Sequence, residues 1–189
     1  TPGPPWCILP IMPAVADVLL GIGSAIAAFR SLQKALGDLD LSRAVREEGG
    51  GQSSMTVRTY KVRNLKERVG YIASMIRKGR DDPRVRRLAT RVTSARCGPR
   101  GERWCVAERN WRGEADAIFH AVRKHVRYTK DTFGKDLFQH PWRTLQFRAG
   151  DCDDYSIVLG SMLQAVGFPV KLRVIRTRDS SDWNHVYVV

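Results

Sequence analysis

A glycine turn followed by a regular apolar run is the feature that most constrains this chain of 189 residues. Gly150 precedes the letters DCDD at 151–154, and apolar residues then recur at spacings of three and four over 157–166. That period is typical of a helix with a buried face. The sequence therefore predicts a core helix that begins close to Cys152.

The position of Cys152 at a helix start bears on its chemistry. Free backbone N–H groups and the positive end of the helix dipole favour the thiolate there, below the usual thiol pKa of about 8.5. The three neighbouring aspartates oppose this effect, because nearby negative charge disfavours a second anion. The sequence thus permits an activated cysteine but does not require one.

A candidate base for this thiol lies in the last segment. Residues 183–189 (WNHVYVV) are rich in β-forming side chains and follow a polar loop. In a strand, His185 shares a face with Trp183, Tyr187 and Val189. A turn at 167–169 and a strand at 170–177 separate this segment from the cysteine helix. The predicted order is cysteine helix, strand, loop and histidine strand.

From about residue 113 onward, the chain resembles the transglutaminase-like superfamily. The matching motifs are GDCDD at 150–154, LQAVGFP at 163–169 and WNHVYVV at 183–189. The resemblance implies an α+β fold related to papain, in which the cysteine helix packs on an antiparallel sheet. It also implies that Cys152 is the nucleophile, that His185 is its general base and that the substrate contains an amide. We expect neither a cofactor nor a metal.

One element of the family pattern has no counterpart among these residues. Members normally carry an aspartate on the strand after the histidine, where it orients the imidazole, and the sequence ends at Val189. Asp179 and Asp182 precede the histidine, so we do not assign them this role. Three explanations stay open: a longer protein, a second chain that completes the sheet, or an inactive site. An unpaired last strand would offer an edge to a partner.

Further site residues follow from the same reasoning. The oxyanion of the reaction would be stabilised by the backbone N–H of Cys152 and by the side chain of Gln146. His120 and His125 lie on a helix predicted at 113–126, and we expect both to be packing or surface residues. A short helical turn at 140–145 leads to the cysteine, in a segment that covers the cleft in the family.

Positive charge is concentrated in the middle of the chain. The net charge is +13, and residues 51–130 contain 21 Lys or Arg against 7 Asp or Glu. Two helices are predicted in this region, at 65–78 after a cap at Asn64 and at 84–96 after a break at 79–83. A basic face can bind a phosphate backbone without reading its sequence.

Four arginines of the second basic helix are the candidates for binding nucleic acid: Arg84, Arg86, Arg87 and Arg91. A solvated basic face, or contact with an acidic protein surface, is an equally good interpretation. The four cysteines do not form the pattern of a disulfide framework. For Cys97 and Cys105 we expect two reduced thiols, although a disulfide, or a metal site with His120 or His125, is an alternative.

The predicted organisation has four parts. Residues 1–48 form an N-terminal apolar and helical arm, 49–54 a linker, 55–112 a basic helical region and 113–189 the transglutaminase-like core, incomplete at its C-terminal end. Within the arm, the apolar segment 14–29 approaches the length of a membrane span. Asp17 and the many small residues favour a helix buried against protein, so a membrane is the less favoured partner.

Two functions of different classes are compatible with these features. One is a cysteine hydrolase or acyltransferase acting on a peptide or protein amide, with a thioester intermediate resolved by water or an amine. The other is a structural subunit of a phage particle or another large assembly, whose basic face contacts nucleic acid or neighbouring subunits. We expect the protein in a phage particle or in the bacterial cytoplasm.

Overall fold

The computed structural model of the chain describes residues 41–49, 63–97, 100–131, 137–177 and 182–189. Two predicted segments fall largely outside these ranges: the arm up to residue 40 and most of the linker. No helix in the described ranges is long and apolar enough to cross a bilayer. The apolar segment 14–29 is not among them.

Six helices and six short strands make up the described ranges. The helices are α1 (Leu41–Glu48), α2 (Leu65–Asp81), α3 (Pro83–Thr93), α4 (Trp111–His125), α5 (Pro141–Phe147) and α6 (Cys152–Ala165). The strands are β1 (Arg96–Cys97), β2 (Arg103–Trp104), β3 (Arg127–Tyr128), β4 (Ala149–Gly150), β5 (Leu172–Ile175) and β6 (His185–Val188). They form the antiparallel pairs β1–β2 and β5–β6 and the parallel pair β3–β4. The predicted α+β class is confirmed.

The helix starts of the basic region lie where the capping residues predict them. Asn64 precedes α2 and its side chain accepts a hydrogen bond from the backbone N–H of Glu67. Asp82 caps α3 in the same way, with Pro83 at the first helical position. The break predicted at 79–83 is confined to Asp82, because α2 continues to Asp81 and Gly79 is buried within it. The second helix is also shorter than predicted and ends at Thr93.

The cysteine helix α6 is the centre of the core. Its residues from Ser156 to Leu163 are all buried, as expected of a helix that is covered on every side. The helix α2 packs closely along it, since a Cβ added to Gly160 would come within 2.8 Å of Ile76 Cδ1. A larger apolar cluster joins α6 to α3, α4 and α5.

The sheet β5–β6 lies against the same helix. Leu172 pairs with Val188, and Ile175 pairs with His185. Val186 and Val188 are buried and belong to the apolar clusters around α6. Both strands were predicted from the sequence, although each is shorter than expected. The parallel pair β3–β4 ends at Gly150, just before the cysteine helix.

Cys97 and Cys105 form a disulfide, so the prediction of two reduced thiols was wrong. The strands β1 and β2 turn back on each other, and the backbone N–H of Cys105 donates to the Ala95 carbonyl at 2.8 Å. The two Cα atoms are therefore 5.0 Å apart, which a disulfide requires. The pairing also removes both thiols from the alternative metal site with His120 or His125.

Candidate active site

Cys152 is the first residue of α6, as the sequence predicts. Asp151 caps the helix, because its Oδ1 accepts hydrogen bonds from the backbone N–H groups of Asp153 at 2.9 Å and Asp154 at 3.2 Å. Gly150 is held in place by the N–H of Thr129, which donates to its carbonyl at 2.9 Å. The thiol is half-buried and packs beside the apolar cluster that contains Val186 of β6.

The close approach of Asp154 explains the glycine at this turn. A Cβ on residue 150 would lie 2.6 Å from the Cβ of Asp154 and 2.8 Å from its Oδ2, closer than real Cβ contacts. Gly150 is therefore required by space in front of the cysteine helix.

A part-buried ion pair lies next to the cysteine. Arg68, from α2, donates through Nη2 to Oδ2 of Asp153 at 2.7 Å, and only 4% of the Asp153 side chain is exposed. The other carboxylate oxygen, Oδ1, lies 3.7 Å from Sγ of Cys152. The Arg68 guanidinium also lies 5.8 Å from the centre of the Phe138 ring. No local pattern in the sequence indicates this pair, because its members are 85 positions apart.

His185 is the first residue of β6 and is buried, with 9% of its surface exposed. Its ring stacks with Tyr187, with ring centres 6.1 Å apart, as expected of side chains on one strand face. Burial lowers the pKa of His185 below its ordinary value, and the negative charge of Asp153 opposes that shift. The imidazole is therefore neutral near pH 7, which is the form that accepts a proton.

A narrow cleft connects His185 to the ion pair. Its walls come from α2, from the first turn of α6 and from the β5–β6 segment, and they include Arg68, Ile72, Asp153, Val174, Trp183 and His185. Ser156, one helical turn after Cys152, lies on the same side of α6, with its hydroxyl 3.2 Å from the Val186 carbonyl oxygen. The first turn of the cysteine helix and the start of the histidine strand thus border one region of the molecule.

A second buried carboxylate lies behind the cysteine. Asp154 is fully buried, and its two oxygens accept hydrogen bonds from the backbone N–H and the side-chain amide of Gln139, at 2.8 and 2.7 Å. Burial raises the pKa of Asp154 to about 6. Burial, with the charges of Asp153 and Asp154, raises the pKa of Asp151 to about 7. The part of the chain that the structure describes contains no group of three His, Cys, Asp or Glu side chains arranged to hold a metal ion.

Among the other predicted residues, His125 is a packing residue, as expected: it is buried, with Nε2 2.7 Å from the Leu145 carbonyl oxygen. His120 is half-buried on the same helix, and burial lowers its pKa. Gln146 lies half-buried on α5, in the segment expected over the cleft. Its role as an oxyanion donor stays a prediction.

Three of the four arginines predicted to bind nucleic acid hold carboxylates of this chain. The pairs, at N–O distances of 2.7, 2.6 and 3.0 Å, are Arg84–Asp82, Arg87–Glu48 and Arg91–Glu47. The Arg84 guanidinium also lies 4.7 Å from the Trp142 ring centre. Arg86 is exposed on the same helix. This basic face is therefore partly neutralised within the chain, and its binding to nucleic acid stays a prediction.

Comparison with known proteins gives one match. Residues 103–189 match the family model of the transglutaminase-like superfamily, which confirms the resemblance carried by the three motifs. No curated protein and no solved structure matches the chain. The matched part contains Cys152, Gln139 and His185, whereas Arg68 lies before it.

Proposed function

We propose that residues 103–189, a transglutaminase-like domain, act on amide bonds as a cysteine hydrolase or acyltransferase. The observation that carries the proposal is the meeting of two elements at one cleft. Cys152 opens α6 beside Asp153, and Asp153 lines the same cleft as His185. A thiol at a helix start and a neutral imidazole near it are the parts that nucleophilic acyl transfer needs.

The proposed reaction has two stages. In the first, His185 accepts the thiol proton, Sγ of Cys152 bonds to the carbonyl carbon of the amide, and the carbonyl oxygen becomes an oxyanion. The backbone N–H of Cys152 and the Gln146 side chain are the proposed oxyanion donors. The C–N bond then breaks, the leaving amine takes the proton from His185, and a thioester remains on Cys152.

In the second stage an acceptor resolves the thioester. Water or an amine loses a proton to His185 and bonds to the same carbonyl carbon. The C–S bond breaks and the sulfur regains a proton from the imidazolium. With water the product is a carboxylic acid, as in a peptidase or amidase. With an amine the product is a new amide, as in a transglutaminase.

Alkylation of Cys152 by iodoacetamide tests this proposal without a known substrate. The rate is read at Cys152 by peptide mass spectrometry, in a Cys7→Ser background, from pH 5 to 9. We expect labelling below pH 7 to be at least tenfold faster than that of a free thiol, and His185→Ala to remove the excess. His120→Ala is the matched control and should leave the rate unchanged. Labelling no faster than that of glutathione would contradict the proposed function.

A further inference from the structure

We propose that Arg68 is a positioning residue for the cysteine site, which neutralises Asp153 so that Cys152 can ionise beside it. The catalytic meaning of this inference rests on the proposed function. The charge effect itself belongs to the ground state of the protein, and it can be measured whether or not the site turns over a substrate.

The geometry of the ion pair supports this role. The Asp153 carboxylate stands between two groups, with Oδ2 2.7 Å from Nη2 of Arg68 and Oδ1 3.7 Å from Sγ of Cys152. The Asp153 side chain is 4% exposed and that of Arg68 is 28% exposed. Water therefore screens the carboxylate poorly, and its charge acts on the neighbouring thiol unless a cation offsets it.

Among the described residues, the other titratable groups that face this helix start do not supply that cation. Asp151 and Asp154 belong to the same helix start, and Asp131 acts electrostatically on both. Burial raises the pKa of Asp151 and of Asp154, so each is partly protonated near neutral pH. On the side of β6, the buried imidazole of His185 is neutral near pH 7. Arg68 is thus the positive charge that the described contacts place on Asp153.

The position of Arg68 is fixed by the packing of its helix. The helix α2 lies closely along α6 at Ile76 and Gly160, and it contributes Ile72 to the cluster beside Cys152. The ring of Phe138, from the segment before α5, lies 5.8 Å from the guanidinium. The residues that match the family begin at 103, so the counter-charge comes from a helix upstream of the matched part. The predicted basic region therefore contributes directly to the candidate site.

A charge-neutralisation series on the full chain tests the inference. The pH midpoint of iodoacetamide labelling at Cys152 is measured in the Cys7→Ser background for Arg68→Met, Asp153→Asn and the double variant. We expect Arg68→Met to raise the midpoint by about one pH unit and to slow labelling about tenfold at pH 5, well below the midpoint, because the carboxylate loses its partner. Asp153→Asn should lower the midpoint, and the double variant should return it close to that of the parent.

The control variant is Arg43→Met, which removes an exposed ion pair with Glu47 and should leave the midpoint unchanged. Circular dichroism melting checks that each variant is folded. If Arg68→Met does not fold, the labelling midpoint of Asp153→Asn alone tests the inference. Any of three results overturns the inference. The labelling midpoint is unchanged in Arg68→Met, it stays raised in the double variant, or it fails to fall in Asp153→Asn. If His185→Ala leaves the labelling rate of Cys152 unchanged, that result overturns the proposed function instead. The two failures are therefore distinguishable.

Discussion

The hydroxyl oxygen of Ser156 lies 2.8 Å from the Cys152 carbonyl oxygen and 3.2 Å from the Val186 carbonyl oxygen. One side chain thus joins the first turn of the cysteine helix to the residue that follows His185. The helix and the strand are 30 positions apart in sequence, so this contact helps to set the position of Cys152 relative to the strand.

Replacement of Ser156 by alanine should loosen this junction. We expect Ser156→Ala to lower the free energy of unfolding by about 1 kcal/mol and to slow alkylation of Cys152 at pH 6. The matched control is Ser161→Ala, whose hydroxyl joins α6 to the Ile76 carbonyl of α2 instead. It should cost a similar amount of stability and leave the alkylation rate unchanged. Equal rates in the two variants would show that Ser156 has no particular influence on the cysteine.

Two glycines of α2 should respond oppositely to alanine. A Cβ on Gly79 would overlap the Ser161 side chain and the Pro141 ring, whereas a Cβ on Gly70 would meet nothing within 4 Å. We expect Gly79→Ala to destabilise the protein by about 1–3 kcal/mol through overpacking. Gly70→Ala should stabilise it by about 0.5–1 kcal/mol, because alanine is the better helix former. Urea unfolding of both variants measures the difference, and a neutral Gly79→Ala would contradict the close packing of α2 on α6.

The buried carboxylates behind the cysteine predict a pH dependence of stability. The folded pKa is about 7 for Asp151 and about 6 for Asp154, above the ordinary value of 3.8, so the folded protein binds more protons between these limits. Their contribution to the free energy of unfolding is therefore fully present only below about pH 4, falls as the pH rises through the folded pKa values, and is lost above about pH 8. We expect Asp154→Asn to flatten the fall between pH 4 and 8 in urea titrations. A slope identical to that of the parent would contradict the assignment.

The hairpin β1–β2 should depend on its disulfide. Because Cys97 and Cys105 are eight positions apart, the loop that they close is short. We expect the double variant Cys97→Ser, Cys105→Ser to lose about 2–3 kcal/mol of unfolding free energy. A reductant should lower the melting temperature of the parent but not that of the variant. A parent insensitive to reductant would show that the bond is not formed in solution.

Local signals made much of this fold predictable. Some elements depend only on the spacing of neighbouring residues, and the structure confirms them. They are the core helix from Cys152, the caps Asn64 and Asp82, and the strand of His185. Family motifs added the α+β class, which periodicity alone does not fix. The nucleophile and base assigned by those motifs stay predictions.

Contacts between distant positions could not be predicted. Arg68 and Asp153 meet because α2 packs along α6, and Gln139 reaches Asp154 because the chain turns back before α5. Neither pair has a spacing that a single sequence reveals. The Cys97–Cys105 bond depends on a hairpin of two-residue strands, too short to give a periodic pattern. Gly79 suggested a break because its conformational freedom was visible, whereas its place against Ser161 was not.

The central claim is that the Cys152 thiolate and the His185 imidazole act on each other. The most direct test is to measure the pKa of His185 by NMR titration, in the parent and in Cys152→Ala. Burial lowers this pKa, so in Cys152→Ala the imidazole should lose its proton below its ordinary value of 6.5. In the parent a neighbouring thiolate should hold the proton to a higher pH than in Cys152→Ala. Identical titration curves in the two proteins would contradict the Cys152–His185 pair.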